Sequence, residues 1–305
     1  MPVLVTGANG NLGRALFRQL AGPGRFRAGV RSSRAAAQID ALELRDLRPE
    51  IARVDYADAQ SMFEAAAGCD SVVHLVGIIK EVANTSYADA HERSCSALAQ
   101  AADRAGVKRI VYLSIVGSAP ESANACLASR NRAEQILQSG TVPTTVLRVP
   151  MVLGRGDFAT AALRAQASSS RALLIGGGKT LQQPIDARDV VRAIEAALRD
   201  PSADRVALDL AGPECLSHRE LVARAAAALG HAAPSVAPIP LFAARTFAAL
   251  ATRLLANPPL TPAMLGVLQR NDRVDAAETA QLLGIALTPL DETLAHCLRD
   301  DVESA

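Results

Sequence analysis

Three glycines at a spacing of three residues offer the first chemistry in the chain: Thr6-Gly7-Ala8-Asn9-Gly10-Asn11-Leu12-Gly13. The run joins a β-branched segment, Val3–Thr6, to an apolar-periodic stretch, Leu12–Leu20, that reads as a helix. In a strand–turn–helix setting each glycine has its own task. Gly7 permits the tight turn, Gly10 lets a pyrophosphate approach the backbone, and Gly13 lets the helix pack closely on the sheet. The unsatisfied N–H groups of the first helical turn then face the anion. Gly7, Asn9, Gly10, Asn11, Leu12 and Gly13 are therefore read as a dinucleotide phosphate cradle, against the plainer reading of a structural turn.

The end of the second strand chooses between dinucleotides. An acidic residue there would bind the ribose 2′-hydroxyl of NAD, and an arginine would accept the 2′-phosphate of NADP. The chain has Gly29-Val30-Arg31-Ser32-Ser33-Arg34, with no carboxylate before Asp40. Guanidinium groups pair bidentately with phosphate, so Arg31 and Arg34 favour NADP(H) over NAD(H). A solvated basic loop is the alternative. Asp55, with Tyr56 beside it, closes the third strand and is placed to meet the adenine amino group; its rival role is a helix cap.

These residues need a scaffold, and the first half of the chain supplies one. Short β-branched runs at Val3–Thr6, Phe26–Val30, Ile51–Asp55, Ser71–Val76, Arg109–Ser114 and Thr144–Val149 alternate with Ala-rich helical stretches. Two of those stretches, Ala88–Ala105 and Asn124–Gln138, end at Gly106 and Gly140. The expected fold is α/β: a Rossmann-type, doubly wound parallel sheet with helices on both faces and a smaller C-terminal lobe. Residues 1–153 form the NAD(P)-binding domain. Residues 154–305 form a lobe for substrate or partner, with some segments returning to the sheet. Helices are expected there at Ala187–Leu198, Leu221–Leu229 and Leu241–Leu255, the last as ordinary core packing.

Composition removes several function classes. The chain has 305 residues, half of them hydrophobic, and a formal net charge of +1 without a basic run, which argues against nucleic-acid binding. Five scattered cysteines without a CxxC form neither a disulfide framework nor a metal site, so a cytoplasmic protein is expected. The N-terminal Met1-Pro2-Val3-Leu4-Val5 is too short an apolar run for a signal peptide. Tyrosines are scarce (Tyr56, Tyr87, Tyr112), and the lysines are Lys80, Lys108 and Lys179. No tyrosine is followed by lysine four residues on.

The glycine pattern resembles that of the short-chain dehydrogenase/reductase superfamily in its extended or atypical branches. His74-Leu75-Val76-Gly77 and Leu147-Arg148-Val149-Pro150 fit later signatures of that superfamily. The resemblance adds Leu75, Val76, Gly77 and Pro150 to the cofactor contacts, Pro150 beside the nicotinamide. One group is similar over nearly the whole chain: that of the alpha-subcomplex subunit 9 of mitochondrial complex I and its free-standing bacterial relatives. Asp89-Ala90-His91, Gln183-Pro184-Ile185-Asp186-Ala187-Arg188-Asp189, Leu210-Ala211-Gly212-Pro213-Glu214 and Leu283-Gly284-Ile285 carry it.

The same resemblance exposes a departure. Superfamily enzymes use a Tyr and, four residues later, a Lys on one helix face, where the Lys lowers the phenol pKa and binds ribose. Here the matching helix reads Cys126-Leu127-Ala128-Ser129-Arg130. Arg130 still suits ribose, but the phenol is gone. Cys126 is shorter than tyrosine and reads best as a small buried residue. Ser114 matches the superfamily's catalytic Ser/Thr region, and Tyr87 is the one tyrosine that loop geometry could bring to a substrate. His91 reads as a satisfied core histidine. The expectation is an NADP(H)-binding relative of dehydrogenases with structural, sensing or respiratory-complex duties. An active oxidoreductase or epimerase-like enzyme using Ser114, Cys126 and Arg130 is the alternative. An accessory factor docking at a membrane through Leu241–Leu255 is a third reading, and a homodimer is compatible with all three.

Overall fold

A computed structural model describes residues 2–19, 26–42, 44, 48–201 and 204–298. The first half runs β1 (Val3–Thr6), α1 (Asn11–Gln19), β2 (Phe26–Val30), α2 (Ser33–Asp40), β3 (Glu50–Arg53), α3 (Ala59–Ala66) and β4 (Ser71–His74). A π-helical turn, Ala88–Arg93, leads into α4 (Ser94–Arg104), followed by β5 (Arg109–Ile115), α5 (Ala125–Gln138) and β6 (Thr144–Val149). Polar residues set the helix starts. Ser32, Asp58 and Asn124 each accept backbone N–H bonds from the first turn of α2, α3 and α5. Asp58 is thus the cap after the third strand. Asp55 instead takes the Ala57 N–H at 3.0 Å and closes a turn.

The second half runs β7 (Val152–Leu153), α6 (Phe158–Ala167), β8 (Arg171–Ile175), β9 (Leu181–Gln182), β10 (Ile185–Asp186), α7 (Ala187–Arg199), β11 (Ala207–Asp209), β12 (Leu216–Ser217), α8 (His218–Ala228) and β13 (Ser235–Ile239). It ends in α9 (Leu241–Leu254), α10 (Pro262–Leu268), α11 (Ala276–Leu282) and α12 (Leu290–Leu298).

Seven parallel strands form the central sheet in the order β11-β6-β5-β4-β1-β2-β3. The chain winds outward from β1 through β2 and β3, then returns to β4 on the other side. The topological switch point therefore lies between β1 and β4, the crevice where open α/β sheets bind ligands. Alternation along each strand fills both faces. Val5, Val73, Val111 and Leu147 face α1 and α7, while Leu4, Val72, Ile110 and Val146 face α3, α4 and α5. β11 and α7 come from beyond residue 153, so the second half is threaded back through the sheet.

The rest of the second half has its own core, in which Leu153, Leu163, Leu174, Leu221 and Leu294 meet. α9 departs from the expectation of core packing. It buries the small side chains of Ala244, Ala248 and Ala251, while Phe242, Phe247, Leu250 and Leu254 remain 50–78% exposed.

Candidate cofactor site

The glycine run occupies the switch point. Gly7 has φ +69°, and a Cβ there would lie 3.1 Å from the Leu75 carbonyl carbon, so the turn and the approach to β4 both require glycine. A Cβ on Gly13 would sit 2.3 Å from the Ala8 carbonyl oxygen, which no rearrangement short of moving α1 would relieve. The Gly7 N–H does not point to the crevice; it donates to the Tyr56 hydroxyl at 2.9 Å. That phenol in turn donates to the Gly29 carbonyl at 2.7 Å, so buried Tyr56 braces the cradle from below and ties β1 to β2. Burial pushes the Tyr56 pKa up, with the Gly7 N–H and the Arg31 charge opposing. Asn9 reaches across to the Gln38 side chain of α2 at 3.0 Å, and Asn11 accepts a bond from Arg14. The first-turn N–H groups at Asn11, Leu12 and Gly13 have no intrahelical acceptors available to them.

At the end of β2, Arg31 and Arg34 are exposed, and no carboxylate pairs with either among the described residues. The two serines between them are engaged. Ser32 caps α2, and Ser33 accepts from Arg53, which projects from the end of β3, at 2.8 Å. Arg53 is a third guanidinium at this edge that the sequence reading did not single out. Its position closing a strand next to Arg31 was the available signal.

On the other side of the switch point, α5 turns one face to the strand ends. Cys126, Arg130 and Glu134 are spaced at i, i+4 and i+8, and all three are buried. Arg130 donates to the Tyr112 hydroxyl at 3.1 Å, the Leu113 carbonyl at 3.0 Å and the Val76 carbonyl at 3.5 Å. Its guanidinium fills the space over Gly77, where a Cβ would meet a terminal nitrogen at 1.8 Å. Arg130 Nε has no partner, and no carboxylate pairs with Arg130 among the described residues. A buried cation without a counter-charge is costly, so an electron-rich ligand group at this spot would repay it.

The neighbouring polar groups are committed to each other. Buried Ser114 donates to Glu134 at 2.5 Å, and Glu134 is held by Arg148 through contacts of 2.5–3.1 Å. Glu134 was missed from sequence, although it continues the Cys126–Arg130 face by one further turn. Ser129 gives its proton to Glu92 at 2.8 Å and sits 3.2 Å from His91 Nδ1. His91 Nε2 lies 3.2 Å from the Ile78 amide nitrogen and 3.1 Å from the Ile78 carbonyl oxygen, so both ring nitrogens have polar partners. His74 is likewise engaged at both nitrogens, Nδ1 with the Thr6 hydroxyl at 2.7 Å and Nε2 with the Ser94 hydroxyl at 3.3 Å. Burial, reinforced by the Arg130 charge, drives the His74 pKa down to about 3 and that of His91 to about 2.

Cys126 lies with its thiol 3.6 Å from the Ile78 carbonyl and within hydrogen-bonding reach of the Tyr87 phenol. Burial raises its pKa, and the Arg130 charge and the Tyr87 hydroxyl oppose that rise. Tyr87 stacks on His91 at 5.6 Å and donates to the Ile79 carbonyl at 2.9 Å, with Thr261 from the loop before α10 also at its hydroxyl. Leu260-Thr261-Pro262 is a further segment similar to the subunit 9 group, and the tertiary fold brings its Thr261 beside Tyr87. Tyr112 lies fully buried inside β5. Pro150, directly after β6, is half-buried.

A cradle that only glycine fits and a buried guanidinium without counter-charge suit a dinucleotide. A sequence family described as NAD(P)H-binding matches residues 7–201. The "NADH dehydrogenase [ubiquinone] 1 alpha subcomplex subunit 9, mitochondrial" of Arabidopsis thaliana is 30% identical over 225 residues, 71% of this chain and 55% of that protein. The chain thus spans about half the length of that relative. The ceramide reductase of Caulobacter vibrioides is 28% identical over 229 residues, 75% of this chain and 70% of the reductase. The UDP-glucuronic acid 4-epimerase of Bacillus cereus, solved with UDP-glucuronic acid and NAD, shares the fold with a TM-score of 0.73 at 18% identity, over 97% of each chain. The chain belongs to the NAD(P)H-binding family, within the atypical short-chain dehydrogenases/reductases similar to the alpha subcomplex subunit 9 of complex I.

Proposed function

We propose that the protein binds NADP(H) in preference to NAD(H) and uses it chiefly as a structural or sensing ligand. The observation that carries this reading is the end of β2, where Arg31 and Arg34 are exposed, with no ion-pair partner among the described residues and no carboxylate in the sequence between Val30 and Asp40 for a ribose diol. In this arrangement Gly7–Gly13 hold the pyrophosphate, Arg31 and Arg34 the adenosine phosphate, and Arg130 the nicotinamide ribose. Leu75, Val76, Gly77 and Pro150 line the crevice between them. Residues 1–153, with α7 and β11, then act as the cofactor domain, and the remainder walls the nicotinamide end. Thermal melts test the proposal: NADPH should raise Tm clearly more than NADH at equal concentration. Equal shifts, or no shift with either, would remove the Arg31 and Arg34 assignment.

Bound nicotinamide supplies a hydride donor or acceptor. What the chain itself adds at that end is the question. The degenerate pair Cys126–Arg130 supports a limited role in proton transfer, because a buried thiol of raised pKa is a poor substitute for an activated phenol. One observation favours a second reading, an active reductase: the Tyr87 phenol reaches the Cys126 thiol from a different element. Several curated relatives are reductases, the ceramide reductase among them, while others are subunits of respiratory complex I. NADPH oxidation across a panel of lipid and small carbonyl compounds, abolished by Tyr87→Phe, would establish the reductase; no turnover on the panel keeps the binding role.

A further inference from the structure

We propose that the outward face of α9 seats the protein on an anionic bilayer surface. A helix packed on a protein core normally hides its large side chains and shows its small or charged ones. α9 does the reverse. Ala244, Ala248 and Ala251, at i, i+4 and i+7, form the buried stripe against Leu265, Ile175 and Ile239. Phe247, Leu250 and Leu254, at i, i+3 and i+7, run along the outside, where Leu254 is 78% exposed. A second outer stripe carries Phe242, 74% exposed, together with Arg245 and Arg253. The arrangement is an apolar band flanked by guanidinium groups.

Charge identifies the occupant. Between Glu220 and Asp272 the chain has no acidic residue, while it carries Arg224, Arg245, Arg253 and Arg270. Arg224 is paired with Glu214 and Asp291, and Arg270 with Asp272. Arg245 and Arg253 on the apolar helix are exposed, with no ion pair among the described residues. In a chain of net charge +1, this stretch thus has arginine as its sole charged residue type, two of them exposed on the apolar helix. Aromatic and leucine side chains interleaved with arginine suit the boundary between anionic headgroups and acyl chains, into which such a helix sinks flat. The helix has 14 residues, and no helix among the described residues is long and apolar enough to cross a membrane, so it lies on the surface.

The docking face is tied to the cofactor crevice. Just beyond α9, Asn257 and Pro258 accept bonds from Lys80, in the loop after β4, at 2.8 and 2.9 Å. Exposed Ile79 adjoins this junction. Ala263 of α10 accepts from Asn124, the cap of α5, at 2.8 Å. A protein seated through α9 would hold the strand ends of β4 and β5 in a fixed relation to the bilayer.

Vesicle flotation tests this. The full chain should float with vesicles of phosphatidylcholine and phosphatidylglycerol, about tenfold or more better than with phosphatidylcholine alone. The triple variant Phe247→Ser, Leu250→Ser, Leu254→Ser and the double variant Arg245→Glu, Arg253→Glu should both lose flotation. Their melting curves should stay close to wild type, because every altered side chain points outward. No flotation with either vesicle overturns the proposal, as does binding that the arginine variant leaves intact. Light scattering showing a dimer that the serine variant dissociates, without vesicle binding, would assign the face to a second copy and overturn it equally.

Discussion

The two ends of the crevice are built differently. At the β2 end, groups that suit an anion are left unmatched: Arg31 and Arg34 are exposed and have no ion-pair partner among the described residues, and the glycine cradle keeps side chains away. At the β4–β6 end almost every polar group is spent on another one. Ser114 is bound to Glu134, Glu134 to Arg148, His74 to Thr6 and Ser94, and His91 to Ser129 and Ile78. Arg130 differs: its guanidinium bonds Tyr112 and Leu113, but its buried Nε has no hydrogen-bond partner. A region poised for proton transfer keeps titratable groups accessible and near neutral pKa. A region that serves binding can bury them neutral. The contrast is what supports a ligand-holding role over a catalytic one.

Acid should break the buried end first, and this is the largest effect expected. Both histidines have folded pKa values far below the usual 6.5, so the unfolded chain binds more protons than the native one below that pH. Their stabilisation is complete above about pH 6.5 and is lost as pH falls toward the folded values. At pH 5 the loss is about 2 kcal/mol for each histidine. Urea unfolding at pH 7.5 and pH 5 should show a drop of that order, and His91→Asn should remove about half of the pH dependence. A stability that stays flat across this window would mean the histidines are not held neutral.

The open end should fail by substitution instead. Gly13→Val places side-chain atoms inside the Ala8 carbonyl and should abolish the NADPH-induced melting shift, with overpacking costing about 1–3 kcal/mol of stability. Arg31→Asp touches nothing buried. It should weaken NADPH binding about tenfold to a hundredfold in calorimetric titration, about 1.4–2.8 kcal/mol, and leave NADH binding unchanged or improved. An equal loss for both dinucleotides would place Arg31 on the shared pyrophosphate and not on the 2′-phosphate.

The open end was also the legible one. Strands β1, β2 and β6 fall on the expected residues, because apolar β-branched runs bounded by glycine or polar residues dictate a strand locally. The cradle could be read because its constraint is on backbone space, which glycine spacing records directly. The buried end could not. Ser114, Glu134 and Arg148 come from β5, α5 and β6, and only the packed fold shows that they share one proton network. β11 is three residues long and owes its place to pairing with β6 rather than to any local signal. α9 misled for another reason: its apolar content implied burial, but which face packs was decided by the alanine stripe, present in the sequence at 244, 248 and 251.

Cys126 gives the finest test of the contrast, because it is the residue whose role differs most between the two readings. Its thiol fills a small buried space beside Tyr87 and Ile78 and bonds only weakly. If that end is structural, Cys126→Ala should cost about 1 kcal/mol or less and leave the NADPH melting shift intact. Tyr87→Phe should cost a similar amount, since the phenol loses its bond to the Ile79 carbonyl but keeps its stacking on His91. If the end instead transfers protons, the two substitutions separate: stability changes stay small for both, while any carbonyl reduction disappears with Tyr87→Phe and survives Cys126→Ala. Equal melting curves with unequal turnover would therefore move the chain from ligand holder to enzyme.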